Sequence, residues 1–168
     1  MRILGLDPGT ATVGYGIIEE RDGSPAVVHY GAIQTRPADG RAGRRLQLIY
    51  QALNALLAEY RPDEAAIEEL FFGRNITTAI GVGQARGVLL LALENAAIPV
   101  GEYSPPQIKE AVSGYGNASK EQVQFMVAQL LGLEAPPRPD DAADGLAVAL
   151  THFQRRRVEA LYQDAQAE

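Results

Sequence analysis

A chain of 168 residues with 46% hydrophobic side chains is long enough to bury one globular core and too apolar for a disordered segment. It has no cysteine, which excludes a disulfide framework, a thiolate zinc site and a cysteine nucleophile. Its formal net charge of −6 argues against nonspecific binding of nucleic acid. A nucleic-acid partner would have to meet local basic groups. The two lysines, Lys109 and Lys120, fall in one short segment, and arginines cluster at Arg41, Arg44 and Arg45 and again at Arg155, Arg156 and Arg157.

Residues 2–7 read as a buried strand that ends in a turn at Asp7, Pro8, Gly9 and Thr10. Segments 13–19 and 26–34 read as two more strands, with a hairpin turn at Asp22, Gly23, Ser24 and Pro25. Leu46, Ile49, Leu53, Leu56 and Leu57 recur at helical spacing, predicting a helix over 40–60 that Pro62 ends. A short strand is expected over 64–70, a helix over 75–97 and a fifth strand over 98–103. Ser104, Pro105, Pro106 and Gln107 form a capping-box pattern with proline at the first helical position. Ser119 and Gln122 repeat the box, and Gly132 is the expected stop. Pro136, Pro137 and Pro139 stiffen a linker into a last helix over 140–156.

This predicts one domain over 1–157 and a tail over 158–168 that frays. Met1 runs straight into a short apolar strand, so neither a signal peptide nor a membrane span of about 20 apolar residues is expected, and the location expected is the cytoplasm. The order β-β-β-α-β-α-β-α-α-α implies an α/β fold: a five-stranded mixed sheet with helices on both faces, the ribonuclease H-like arrangement.

The chemistry-bearing residues are acids. Asp7 stands where the first strand ends, and Glu68 follows Ala65, Ala66 and Ile67 in an apolar strand. Adjacent strand ends in such a sheet converge on a crevice. Asp141 and Asp144 are three apart on the first turn of the last helix, which puts them on one face, roughly 5–6 Å apart at Cβ. Taken singly, Asp7 is an ordinary turn residue, and Asp140 and Asp141 are ordinary acids at a helix N-terminus. Brought together, the four would repel one another unless a divalent cation lay between them. Hard oxygen ligands suit Mg²⁺ or Mn²⁺, and two such ions about 3.5–4 Å apart support phosphodiester hydrolysis. The expectation is a divalent-metal-dependent nuclease. Asp7, Pro8, Gly9 and Thr10 also match the phosphate loop of actin and sugar-kinase-type ATP-binding proteins. That class needs a second such lobe, and here the motif occurs once.

Several motifs stand in order over about residues 1–153. They are Leu4, Gly5, Leu6, Asp7, Pro8, Gly9 and Thr10 with Gly14, Tyr15 and Gly16; Ala66, Ile67 and Glu68; Gly83, Gln84, Ala85, Arg86 and Gly87; and Asp141, Ala142, Ala143, Asp144, Gly145, Leu146 and Ala147. In these the chain resembles the RuvC family of Holliday junction resolvases. The resemblance implies a homodimer that cuts two symmetry-related strands of four-way junction DNA with Mg²⁺ or Mn²⁺, in recombination and repair. It implies Asp7, Glu68, Asp141 and Asp144 as metal ligands, Lys109 and Lys120 as active-region lysines, and Phe71, with Phe72 beside it, at the junction bases. It also implies a branch-migration complex, the RuvA and RuvB proteins, as partner. A nuclease of the same fold acting on RNA or RNA–DNA hybrids and a catalytically dead junction-binding module are the alternatives.

Read on their own chemistry, Phe71 and Phe72 are expected to wedge or stack on unpaired bases, one of them belonging to the core. Arg74 and Arg86 are candidate phosphate contacts, and Lys109 and Lys120 are placed to bind phosphate or steady a transition state. Gly81, Gly83 and Gly87 cost the helix over 75–97 about 1 kcal/mol each relative to alanine, which suggests close approach of another helix at a two-fold interface.

Overall fold

The computed structural model describes residues 1–9, 11–70 and 76–167. Strands β1 (Arg2–Asp7), β2 (Thr12–Arg21) and β3 (Ser24–Gln34) form an antiparallel meander whose second turn uses Asp22 and Gly23 at positive φ. A short 3-10 turn (Pro37–Asp39) precedes α1 (Ala42–Tyr60), which Arg61 closes in the left-handed conformation just before Pro62. Then come β4 (Glu64–Glu68), α2 (Ile76–Asn95), β5 (Val100–Tyr103), α3 (Pro105–Ser113), α4 (Lys120–Leu130) and α5 (Asp140–Ala167). The sheet order is β3-β2-β1-β4-β5, with β4 parallel to β1 and β5 parallel to β4. The predicted α/β class, mixed sheet and element order are all observed, and the capping boxes at Ser104 and Ser119 start α3 and α4 as the sequence predicts.

The period of two along β1 divides the molecule into layers. Leu4 and Leu6 face α1 and α2, where Ile49, Leu53, Leu57, Leu89 and Leu93 cover them. Ile3 faces the opposite side, and with Ile18 and Ala66 it packs against Ile108, Val127, Leu146 and Leu150 of α3, α4 and α5. Asp7 shares the parity of Ile3, and Glu68 that of Ala66, so both acids emerge on the α5 side at the ends of parallel neighbouring strands.

On that side α5 meets the sheet backbone to backbone. Gly5 pairs with Gly16 across β1 and β2, and Asp7 pairs with Gly14. A Cβ on Gly5 would lie 2.2 Å from the Gly145 carbonyl oxygen, and one on Gly14 would lie 1.9 Å from that of Asp141. A Cβ on Gly145 would lie 2.5 Å from the Tyr15 backbone. These positions leave no room for a side chain, so glycine on both sides sets how close the helix comes.

A half-buried polar chain fixes α5 further along. The His152 Nε2–H donates to Glu64 Oε2 (2.7 Å), the Tyr103 hydroxyl donates to His152 Nδ1 (2.8 Å), and Arg156 binds Glu64 (3.1 Å). Helix α5 runs through Ala167, so the described residues of the predicted tail after Val158 are helical. Glu159, Ala160, Leu161, Gln163 and Ala165 are strong helix formers, and extending a helix already nucleated costs little. Among the described residues no helix is long and apolar enough to cross a membrane.

Candidate active site

At the C-terminal ends of β1 and β4 the sheet and α3, α4 and α5 enclose a cleft of ≈ 330 Å³. Asp7, Glu68 and Asp144 supply its acidic side and Lys109 and Lys120 its basic side. Pro105, Ile108, Val123 and Ala147 make the apolar wall. That wall was not predicted as part of a site, although the capping box that places Pro105 was legible.

The electrostatics of the acids follow from crowding in a place poor in water. The Asp7 carboxyl is raised from its ordinary 3.8 to about 8, first by burial and then by the charges of Glu68, Asp144 and Asp141. Glu68 is also raised, chiefly by burial, although its hydrogen bond with Asp7 and the charges of Lys109 and Lys120 pull it back. The hydrogen bond between Asp7 and Glu68 acts on both carboxyls, so their titrations are linked. Asp144 is raised by burial and relieved by Lys120, whose Nζ donates to its Oδ2 at 2.8 Å. Lys120 is the first residue of α4, where the helix dipole disfavours a cation. Its ammonium is nevertheless held above its ordinary value, first by that bond to Asp144.

The sequence-predicted acids do not all stand alike. Asp141 is close enough to raise Asp7, but the cleft is lined by Asp144 and not by Asp141. Among the described residues no three carboxylate or imidazole groups are already set in metal-holding geometry, since Asp7 is turned to Glu68 and Asp144 to Lys120. The donor set still suits a hard divalent cation. The oxygens are carboxylate, they converge, and the raised carboxyl of Asp7 marks negative charge that the protein leaves partly uncompensated.

Arg86 lies next to the site. Its Nε–H donates to the Glu68 carbonyl oxygen at 3.2 Å, and its guanidinium is ion-paired with Glu102. A phosphate reaching Arg86 would compete with Glu102. Phe71, Phe72 and Arg74, and with them Thr10, lie outside the described residues. The Thr35 N–H donates to the Ala11 carbonyl oxygen, so the segment carrying Arg36, Arg41, Arg44 and Arg45 leaves the sheet at the same end as Asp7. Arg156 is bound to Glu64 at the opposite end of the sheet.

A family model described as crossover junction endodeoxyribonuclease RuvC matches residues 3–152. A protein of that name from Syntrophomonas wolfei is 51% identical over 165 residues, covering 98% of this chain and 95% of the relative. The solved structure of Thermus thermophilus RuvC in complex with a Holliday junction substrate superposes with a TM-score of 0.86 at 38% identity, covering 94% of this chain and 96% of that one. The yeast mitochondrial Holliday junction resolvase Ydc2 shares the fold, with a TM-score of 0.68 at 15% identity over 96% of this chain and 83% of that one.

The raised carboxyl of Asp7 makes stability depend on pH. A carboxyl whose folded value lies above its unfolded value holds its proton more tightly in the folded chain. Its contribution is therefore full below 3.8 and is lost as pH rises toward about 8, at up to about 1.4 kcal/mol per pH unit. In EDTA the melting temperature should fall across that window. Asp7→Asn should melt higher than the parent at the alkaline end and show a shallower slope; parallel curves for the two proteins would show that Asp7 is not the buried acid.

Proposed function

The chain belongs to the crossover junction endodeoxyribonuclease RuvC family, and on that footing we propose that it makes paired, symmetrical nicks in four-way junctions at the cleft formed by Asp7, Glu68 and Asp144. Membership makes it a Holliday junction resolvase, a phosphodiester hydrolase and a metal-dependent nuclease. The observation that carries the choice of site is the convergence of the half-buried Asp7, Glu68 and Asp144 in one cleft edged by the only two lysines of the chain.

Asp7, Glu68 and Asp144 would hold Mg²⁺ or Mn²⁺, two ions per site, with Asp141 completing the set. Bound there, such ions supply Lewis-acid polarisation of the phosphate and a more acidic attacking water. The residues do the rest. The raised carboxyls of Asp7 and Glu68 must both be ionised to act as ligands, which couples ion binding to proton release. Lys120 keeps Asp144 aimed into the cleft and, with Lys109, offers positive charge to a phosphate and to the charge that develops in the transition state. The apolar wall of Ile108, Val123 and Ala147 thins out water, which strengthens each of these interactions. Phe71, Phe72 and Arg74 are proposed contacts to junction bases and phosphates, and Arg86 is proposed to reach phosphate on release from Glu102.

A second copy of the chain is the proposed partner that brings a second cleft to the same junction. On α2 the large apolar side chains of Ile80 and Leu91 are 59% and 55% exposed, and a Cβ on Gly87 between them would meet nothing within 4 Å. Positions 80, 87 and 91 share one helix face, which supports α2 as the two-fold contact. Leu89 belongs to the chain's own core instead. The enzyme is read as a cytoplasmic agent of recombination and repair that works with a branch-migration complex, RuvA and RuvB.

Asp7→Asn and Asp144→Asn should each reduce cleavage of a synthetic four-way junction to background in Mg²⁺ or Mn²⁺ and leave junction binding in EDTA intact, because ion ligands and phosphate contacts are separable. Cutting at the parent rate by either variant refutes the site. Leu91→Glu should convert a dimer at micromolar concentration into a monomer in light scattering and uncouple the two nicks. A parent that is monomeric under the same conditions rules out the dimer.

A further inference from the structure

We propose that Arg86 is a positioning residue for Glu68: from α2 it holds the main chain where β4 leaves the sheet, and so fixes where the Glu68 carboxylate stands. The proposal rests on the reading of the acidic cleft as a divalent-metal site.

Glu68 is the last residue of β4, and the sheet supplies no donor for its carbonyl oxygen. The paired register of β1 and β4 ends at Leu6 and Ile67. One step further, the residue of the first-strand chain in line to donate to that oxygen is Pro8, which has no N–H. On the other side of β4 it is Glu69, not Glu68, that bonds β5, through its N–H to the Tyr103 carbonyl oxygen at 2.8 Å. A main-chain acceptor at this half-buried position needs a partner. The Arg86 Nε–H is that partner, at 3.2 Å. The proline that turns the chain after Asp7 therefore creates the need that Arg86 meets.

Arg86 is itself held. Its side chain is 17% exposed, and its guanidinium is ion-paired with Glu102 of β5, which stands beside Ile67 in the β4–β5 register. One planar fork thus ties α2, β4 and β5 together at the end of the sheet where the acids stand. The chain after Glu68 also rests on α2 three residues earlier, where a Cβ on Gly83 would lie 3.3 Å from Leu70 Cδ1. Without these holds the peptide after Glu68 could rotate, and its carboxylate would move with it. Metal–oxygen distances tolerate only about 0.2 Å, so such a movement weakens ion binding. A phosphate that replaced Glu102 would take the terminal nitrogens and leave the Nε bond in place.

The test is titration calorimetry of the full chain with Mn²⁺ and no DNA, alongside cutting of a four-way junction over a range of Mn²⁺ concentrations. Arg86→Lys keeps the charge but gives up the fork. It should weaken Mn²⁺ binding by about tenfold or more, the usual effect of removing a group that orients a metal ligand. The Mn²⁺ concentration that gives half-maximal cutting should rise by the same factor, and junction affinity in EDTA should stay at the parent's. Arg86→Ala should weaken Mn²⁺ binding at least as much. In a Glu68→Gln background Arg86→Lys should cost little more, because the ligand through which it acts is already impaired. Mn²⁺ binding equal to the parent's in both single variants overturns the proposal. So does an equal loss with and without the Glu68 carboxylate, which would make Arg86 a general support of the fold. Weaker junction binding in EDTA with Mn²⁺ binding intact would make Arg86 a contact to DNA alone and overturns it too. A parent that binds no Mn²⁺ fails the metal-site reading itself, a result distinct from parent binding that the variants leave unchanged.

Discussion

Helix α5 rests on β1 and β2 with glycine on both sides of the contact, and the place of Asp144 relative to Asp7 follows from it. Gly5, Gly14 and Gly16 clear the sheet, and Gly145 clears the helix, so the two backbones touch. A side chain at any of these points would lift the first turns of α5 by ångströms. The carboxylates meet only because that distance is short, and Gly145 is the direct neighbour of Asp144 in the chain. The Glu64–His152–Tyr103 chain fixes the same helix against β4 and β5, so α5 is neither free to rise nor free to slide.

Gathering acids in this way works against the fold's own electrostatics. The cleft reaches a compromise with the protein's own atoms alone: the carboxyls of Asp7 and Glu68 are raised, chiefly by burial, and Asp144 takes Lys120 as its partner. Each of these arrangements yields to a doubly charged cation, which is the physical sense in which the cleft is suited to one. The same description accounts for an acidic chain that acts on DNA. A net charge of −6 is a sum over the whole surface, while both lysines stand at the cleft and several arginines leave the sheet at the same end.

Much of this was legible in the sequence because it rests on short-range rules. The parity of β1 and β4 puts Asp7 and Glu68 on one face, and the boxes at Ser104 and Ser119 set where Lys109 and Lys120 fall. The spacing of Asp141 and Asp144 gives a shared helix face but not which of the two enters the cleft. That depends on the rotation of α5 about its axis, fixed by Gly145 against Tyr15, a contact between residues 130 positions apart in the chain. Arg86 reads as a free surface cation until Glu102, on another element, is seen to hold it. His152 gives no local signal, since its partners come from β4 and β5.

The most direct measurement is anomalous scattering from a crystal of the parent protein soaked in manganese, with data collected at the manganese edge. The account predicts density between the carboxylates of Asp7, Glu68 and Asp144, with the bond between Asp7 and Glu68 broken. No peak in the cleft, with those two side chains still hydrogen-bonded to each other, would contradict it.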